Sequence, residues 1–557
     1  MAERIFIGVA WPYANGPLHL GHVAGCYLPA DIFARYHRLK GDQVLMVSGS
    51  DQHGTPITLR AEQEGSSPQQ VVDKYHRSFL DCWERLGITF DLFTTTGTEN
   101  HRQVVHDVFG KLHQQGYIYA DTMPVAYCDR CGRFLPDRYV KGECPHCHNP
   151  DSRGDQCDRC GRTLDARDLV GPVCRRCGEP IHIRESEHLF LKLSHFQDKL
   201  LPWVEDHAHW RPNVLNFTRN YVREGLRDRA ISRDIEWGVS IPLPGYEKKR
   251  VYVWFEAVIG YLSASREWAQ RQGDAEAWRP FWQDQGTRAY YFIGKDNIPF
   301  HTIIWPAMLM GYGGLNLPYD VPANEFLTME GRQLSTSRNW AVWLPDYLDR
   351  YAPDPLRYYM SAAMPESADA DFSWGEYVRR NNDELVATYG NLAHRVLSMV
   401  HRNYSGRVPE PGSLGGQENA LLEQARSAME AVDANLAACH FREGMRVIMA
   451  LAQEANRYLD ARAPWHEVRQ DRQAAATTLW TALSVLSALR VMTYPFMPFS
   501  AQRLHTMLGF DGRVEDSRWE MQRPQPGHPL PPPAPLFTKL EPTVVEEERQ
   551  RMSTPAT

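Results

Sequence analysis

Eight of the eleven cysteines fall between residues 128 and 177, in four Cys-x2-Cys pairs, and this spacing restricts the fold more than any other feature. The pairs are Cys128/Cys131, Cys144/Cys147, Cys157/Cys160 and Cys174/Cys177, separated by 12, 9 and 13 residues. The surrounding stretch, about 120–185, is rich in Gly, Pro, Asp and Arg. It has too few apolar residues to fold unaided. Tetrahedral zinc takes four thiolates, so eight cysteines make two closed sites. A closed site keeps no position for substrate and is structural. The odd cysteine total and the clustering argue against a disulfide framework. Spacing leaves the grouping open. Sequential sites would join the first pair with the second and the third with the fourth; nested sites would join the second with the third and the first with the fourth. His146, His148 and His182 lie nearby, but eight thiolates suffice.

This region interrupts an α/β pattern. Residues 4–10 (RIFIGVA) read as a buried strand, 12–17 as a turn, and a helix starts near His19. A second strand, 43–47, ends at Ser48-Gly49-Ser50-Asp51, and 67–86 reads as an amphipathic helix. Beyond the cysteines, 250–255 (RVYVWF) and 290–293 read as strands and 300–310 as a helix. One parallel sheet split by an inserted module accounts for this order. From 376 to 508 the periodicity is helical throughout, which predicts a bundle. A proline-rich segment at 529–535 leads to a charged end expected to be disordered.

The 557 residues suit roughly three to five domains. Sixty-one basic against 68 acidic side chains give a net charge of −7. No global positive field draws in nucleic acid, so such a partner must be met by local patches. No apolar run reaches the ~18 residues of a membrane helix. The start lacks the features of a secretory signal. A cytoplasmic protein without membrane attachment is expected.

His19 and His22 share one face of the starting helix, whose N-terminus favours anions. Two imidazoles there can donate hydrogen bonds to phosphate oxygens, and Gly21 between them allows close approach of a nucleotide. The tetrad His19-Leu20-Gly21-His22 resembles the His-Ile-Gly-His signature of class I aminoacyl-tRNA synthetases. The strings Ala10-Trp11-Pro12-Tyr13-Ala14-Asn15-Gly16, Asp51-Gln52-His53-Gly54-Thr55-Pro56, Tyr252-Val253-Trp254, and Gly294-Lys295-Asp296 followed by His301 resemble those of the methionyl-tRNA synthetase family. The likeness runs from Arg4 to about residue 540.

That resemblance implies an α/β fold: a Rossmann-type parallel sheet split by a zinc-knuckle insertion, followed by an all-α helical bundle. The division it implies is 1–118 and 231–325 for the two halves of the nucleotide-binding domain and 119–230 for the insertion. Residues 326–380 form a linking domain, 381–540 an anticodon-binding bundle and 541–557 a disordered tail. It implies ATP-dependent ligation of L-methionine to its tRNA through methionyl-adenylate, with Mg2+ accompanying ATP. Family members with one zinc site keep the inner four cysteines, which implies nesting. The chain's end near residue 557 leaves no room for an appended dimerising domain, so a monomer is expected.

The resemblance also assigns residues. His19 and His22 serve ATP and catalysis, with Arg233 near the reacting groups. Asp51 holds the substrate ammonium. Trp11, Tyr13, Trp254, Ala257, Tyr261, Asn297, His301 and Trp305 form the side-chain pocket, and aromatic walls suit a polarizable thioether. Val258 and Asn297 stand where some members carry Pro and Ile. Gly294 and Asp296 fit a ribose-binding pair. The family's Lys-Met-Ser-Lys-Ser loop corresponds to Gln333-Leu334-Ser335-Thr336-Ser337, without either lysine. Ser335, Thr336 and Ser337 remain as ATP-binding residues, with Thr336 at the catalytic lysine's position. Arg338 is the favoured replacement for the missing charge, with Arg332, Lys295 or Mg2+ behind it. Asn391, Arg395 and Trp465 are assigned to the anticodon, beside Asn456 and Asp460. Two rivals remain: a tRNA- or methionine-binding paralog without efficient aminoacylation, and a class I ligase for another apolar amino acid.

Overall fold

The computed structural model describes residues 2–154, 157, 159, 164–334 and 339–553. Five strands form one sheet: β1 (Arg4–Val9), β2 (Gln43–Ser50), β3 (Leu92–Thr95), β4 (Thr287–Gly294) and β5 (Ala323–Asn324). Their order is β5-β4-β1-β2-β3, and every neighbouring pair is parallel. Alternate residues feed two cores. Ile5, Ile7, Val9 and Met46 enter one; Phe6, Leu45, Val47 and Tyr291 enter the other. Burial on both faces explains the unbroken apolar runs of these strands. Because β1 lies between β2 and β4, the carboxyl ends of all three open onto one crevice, the usual ligand site of such sheets.

Two helices flank the early strands. A short turn, Leu20–His22, and a π turn, Val23–Tyr27, lead into α1 (Leu28–Lys40). Helix α2 (Pro68–Leu86) starts at a Ser67–Gln70 capping box and stops at Gly87. The insertion is carried by an antiparallel ladder, residues 118–127 against 182–191, with a small core of its own at the cysteines. Among the later elements are α3 (Val253–Arg271), α4 (Pro353–Ala362), and the bundle helices α5 (Asn391–Asn403), α6 (Gly416–Ala437), α7 (Phe441–Arg462) and α8 (Arg472–Thr493). Helix α8 is long and apolar enough to cross a membrane, yet it is buried inside the protein from Ala475 to Thr493.

Two expectations are corrected. The strand expected at 250–255 is a two-residue pairing, Arg250–Val251 with Ser232–Arg233, after which α3 begins at Val253. The β-branched and aromatic run favours a strand locally, but the apolar residues continue at helical spacing to Ala269 and bury that face. The expected disordered tail at 541–557 contains a helix, α9 (Thr543–Ser553). Glu548 is buried in it, accepting two hydrogen bonds from Arg350 at 2.9 Å each and one from Tyr351 Oη at 2.8 Å. A contact nearly 200 residues away supplies the partner that local composition lacks.

The domains meet around a fully buried Arg357 on α4. It donates to Asp31 Oδ2 at 2.6 Å and to the carbonyls of Phe496 at 2.7 Å and Pro495 at 2.8 Å. Arg35 donates to the same Asp31 oxygen at 2.9 Å and to Tyr494 Oη at 2.7 Å. Against the cost of burial, Arg35, Arg357 and the Thr89 N–H hold Asp31 below the usual carboxylate range. Arg357→Ala takes one of the two guanidinium partners from Asp31 and leaves the buried carbonyls of Pro495 and Phe496 without that donor, so urea unfolding is expected to show a loss of about 3–5 kcal/mol.

Candidate active site

At the carboxyl end of β1 the chain turns through residues 12–18 and starts a helix with an unusual cap. His19 is the N-cap, and its Nδ1 accepts the Gly21 N–H at 3.1 Å. His22 Nδ1 accepts the His19 N–H at 3.1 Å. The imidazoles therefore form a reciprocal capping box, the role usually taken by Ser and Glu. Both Nδ1 atoms act as acceptors, so the neutral rings carry their protons on Nε2. Burial and the neighbouring His22 hold His19 well below the usual histidine range, and burial takes His22 down to about 4. Two neutral N–H donors thus stand at a helix N-terminus. A Cβ on Gly21 would lie 2.8 Å from Leu334 Cδ1 and 3.0 Å from the His19 ring. The glycine makes room for the cap and for Leu334 of the signature loop, which is a different reason from the nucleotide approach expected of it.

At the carboxyl ends of β1 and β2 is a cavity of about 70 Å³ lined by Ala10, Trp11, Tyr13, Asp51, Trp254, Ala257 and their neighbours. Trp11 is wedged between backbones: a Cβ on Gly49 would sit 2.2 Å from its ring, and one on Gly260 2.8 Å. Trp254 is 39% exposed, donates from Nε1 to Tyr13 Oη at 2.6 Å and packs edge-on against Phe300. His301 Nδ1 lies 2.9 Å from the Asn297 carbonyl and Nε2 lies 2.7 Å from Tyr261 Oη. Its Nδ1–H donates to the carbonyl, Nε2 accepts the tyrosine proton, and burial keeps the ring neutral with a pKa of about 4.

Asp51 ends β2 at 3% exposure, with Oδ1 accepting the His53 N–H at 3.2 Å. Burial, then the Glu256 carboxylate, push it well above the usual carboxylate range, while His53 opposes.

The other expected residues are distributed as follows. Trp305 does not line the cavity. It is fully buried behind it, donating to Tyr291 Oη at 3.0 Å and packing on Trp282, because its helix turns that face into the core of the sheet. Arg233 lies over the Tyr252 ring at 4.0 Å and donates to two backbone carbonyls. Gly294 ends β4 and Asp296 lies in the turn that follows it. Lys295 is held between Glu325 at 2.7 Å and Asp369 at 2.9 Å, so its charge is already matched. Arg332 is exposed, over Trp340 at 5.1 Å. Ser335, Thr336, Ser337 and Arg338 lie outside the described residues. In the bundle, Arg395 pairs with Asp460 at 2.8 Å and covers Trp465 at 5.0 Å; Trp465 is 37% exposed, and Asn391 is exposed one turn earlier.

The thiols of Cys128, Cys131, Cys174 and Cys177 lie within 4.8 Å of one another, as do those of Cys144, Cys147 and Cys157; Cys160 lies outside the described residues. Sulfur separations of 3.4, 3.9 and 3.5 Å approach the roughly 3.8 Å edge of a tetrahedral Zn–S4 unit. Donors face the sulfurs, as thiolates require: the Cys131 N–H to Cys128 at 3.4 Å, the His146 N–H to Cys144 at 3.5 Å, and Ser152 Oγ to Cys157 at 3.3 Å. The donor set fits zinc.

Phe300, His53, His101 and Glu256 were not anticipated as site residues. Glu256 left a signal, a lone acid inside the apolar run 253–262, which requires a buried partner.

Comparison with known proteins agrees with this arrangement. Residues 5–397 match the family of class I tRNA synthetases (M), and 408–557 match the anticodon-binding domain of methionyl-tRNA ligase. The methionine–tRNA ligase of Dehalococcoides mccartyi strain CBDB1 is 60% identical over 99% of this chain and 100% of its own. That of Thermomicrobium roseum is 53% identical over 99% of each chain. The structure of Mycobacterium tuberculosis methionyl-tRNA synthetase bound by methionyl-adenylate superposes with a TM-score of 0.81 at 27% identity, covering 96% of this chain and all of that one. The chain belongs to the methionyl-tRNA synthetase family of class I aminoacyl-tRNA synthetases.

The cap makes a direct prediction. In a 15N-labelled sample, His22 should appear at neutral pH as the Nε2–H tautomer and titrate near about 4. His22→Asn, which removes that donor, should lower kcat for adenylate formation by ~10²-fold.

Proposed function

We propose the following division of labour for the family reaction, ATP-dependent ligation of L-methionine to its tRNA through methionyl-adenylate. A methionine carboxylate oxygen bonds to the α-phosphorus of ATP as the bond to pyrophosphate breaks. The terminal adenosine hydroxyl of tRNA then takes the methionyl group, releasing AMP. No protein nucleophile is needed; the chain positions two anions and stabilises developing charge. The Nε2–H groups of His19 and His22 donate to phosphate oxygens, and Asp296 accepts from ribose hydroxyls. Trp11, Tyr13, Trp254, Ala257, Tyr261 and His301 enclose the thioether, and Asp51 binds the ammonium.

Charge on the leaving pyrophosphate falls to Mg2+ and to Arg338 or Arg332. The salt-bridged state of Lys295 argues against a third contributor there. Zinc in two nested sites, Cys128/Cys131/Cys174/Cys177 and Cys144/Cys147/Cys157/Cys160, would cross-link the insertion and take no part in the chemistry. Trp465, with Arg395 and Asn391, would stack on and read an anticodon base. A cytoplasmic location is the reading that suits a translation enzyme of this family.

One observation carries the substrate assignment: a buried carboxylate, raised in pKa by its surroundings, at the rim of an aromatic cavity. An ammonium is the ligand that relieves it. Asp51→Asn should raise the methionine KM in ATP–pyrophosphate exchange by ~30-fold or more, with the KM for ATP little changed; an unaltered methionine KM refutes the assignment.

Trp465→Ala should raise the tRNA KM by ~10-fold and spare the exchange reaction. Equal losses in both assays would make Trp465 a packing residue instead.

A further inference from the structure

The loop bearing Asp51 is tied to α3 by a second buried carboxylate. Glu256, in the first turn of α3, has no exposed surface. Its Oε1 lies 2.9 Å from His53 Nδ1, and its Oε2 lies 3.5 Å from His101 Nε2. His101, on the helix Glu99–Gln114, has its Nδ1 2.8 Å from Ser263 Oγ on α3. On the other side the His53 backbone N–H donates to Asp51 Oδ1. Neighbouring bonds fix the loop: the Gln52 N–H donates to Thr96 Oγ1 at 2.9 Å, and the Gln52 carbonyl accepts from Trp237 Nε1 at 2.6 Å. Tyr13 is bridged to Asp51 through the backbone, and Tyr252 and Arg138 are further titratable groups beside Tyr13. His53 therefore stands between two buried carboxylates.

We propose that His53 is a positioning residue for methionine. Held by Glu256, its imidazolium offsets one of the two buried carboxylates and leaves Asp51 a single negative charge to present to the substrate ammonium. The inference rests on the assignment of Asp51 above. With His53 protonated, the three groups sum to one negative charge, which one ammonium neutralises. Without His53 they sum to two. One ammonium cannot balance both, and the pair takes up a proton instead. That proton goes to Asp51, which burial and Glu256 already push upward, whereas Glu256, despite its burial, is held down by His53 and His101. At His53 burial opposes the charged form, but Glu256 and Asp51 together outweigh it and favour the imidazolium.

The test is ATP–pyrophosphate exchange on the full chain, with methionine KM and kcat measured from about pH 6 to about pH 9. His53→Gln should raise the methionine KM by ~10-fold or more near neutrality and leave kcat nearly unchanged. The deficit should shrink as pH rises and Asp51 loses its proton. Adding Glu256→Gln returns the charge count to one, so the double variant should recover to within ~3-fold of the parent. A double variant as impaired as His53→Gln, or a KM deficit that does not vary with pH, overturns the proposal and reduces His53 to packing. If His53→Gln does not fold, the double variant decides alone, since its neutral pair leaves no unmatched buried charge. Asp51→Asn separates the two readings. No change in its methionine KM means the Asp51 assignment has failed; a loss there beside an unchanged His53→Gln sinks the role of His53 only.

Discussion

Arg357 and Asp31 bury opposite charges at 2.6 Å, where neither group touches solvent. Such a pair stabilises a fold only when every remaining donor and acceptor is also met. Here the remaining partners come from elements distant in sequence. Asp31 stands on α1, the helix that continues the chain from the histidine cap; Arg357 stands on α4; the carbonyls of Pro495 and Phe496 follow α8. Arg35 adds Tyr494 and the Gly87 carbonyl at 2.7 Å. The orientation of the nucleotide end of the sheet relative to the bundle is therefore set by hydrogen bonds that cannot be partly made. A shift of α8 would strip Arg357 of acceptors in a place where water cannot replace them.

The same economy governs the site. The two signature imidazoles satisfy backbone N–H groups with Nδ1 and leave Nε2–H to the phosphate of the proposed reaction. Neutral rings held this way would, in the proposed reaction, stabilise an anion through directed dipoles without a standing charge. Trp11 is placed by backbone on both sides, through Gly49 and Gly260, and so the cavity floor does not depend on side-chain rotamers.

Much of this could be read from residue order, and the failures have physical causes. Alternating burial of Ile5, Phe6 and Ile7 on two faces is what an unbroken apolar strand predicts, and the first strand is found as expected. The cysteine pairs announced thiolate clusters, although spacing could not decide which pairs join. The capping role of His19 and His22 was invisible because it depends on the extended backbone of His19. At Val253, strand propensity lost to the apolar face that α3 buries. Trp305 shared the motif spacing of His301 but turned its ring into the core. The helix at 543–553 needed Arg350, and composition near the end of the chain holds no trace of that partner.

Consider finally the order in which the Arg357 contacts come into being. Asp31, Leu86 and Gly87 are synthesised before Arg357, but the Phe496 carbonyl follows it by 139 residues. At ~5–20 residues per second, a ribosome takes roughly 7–30 s to cover that distance. Throughout that interval the nascent chain holds a guanidinium and a carboxylate prepared for burial, with the acceptors that make burial tolerable still to come. The sheet can form early; its closure against the bundle waits for translation to pass residue 496.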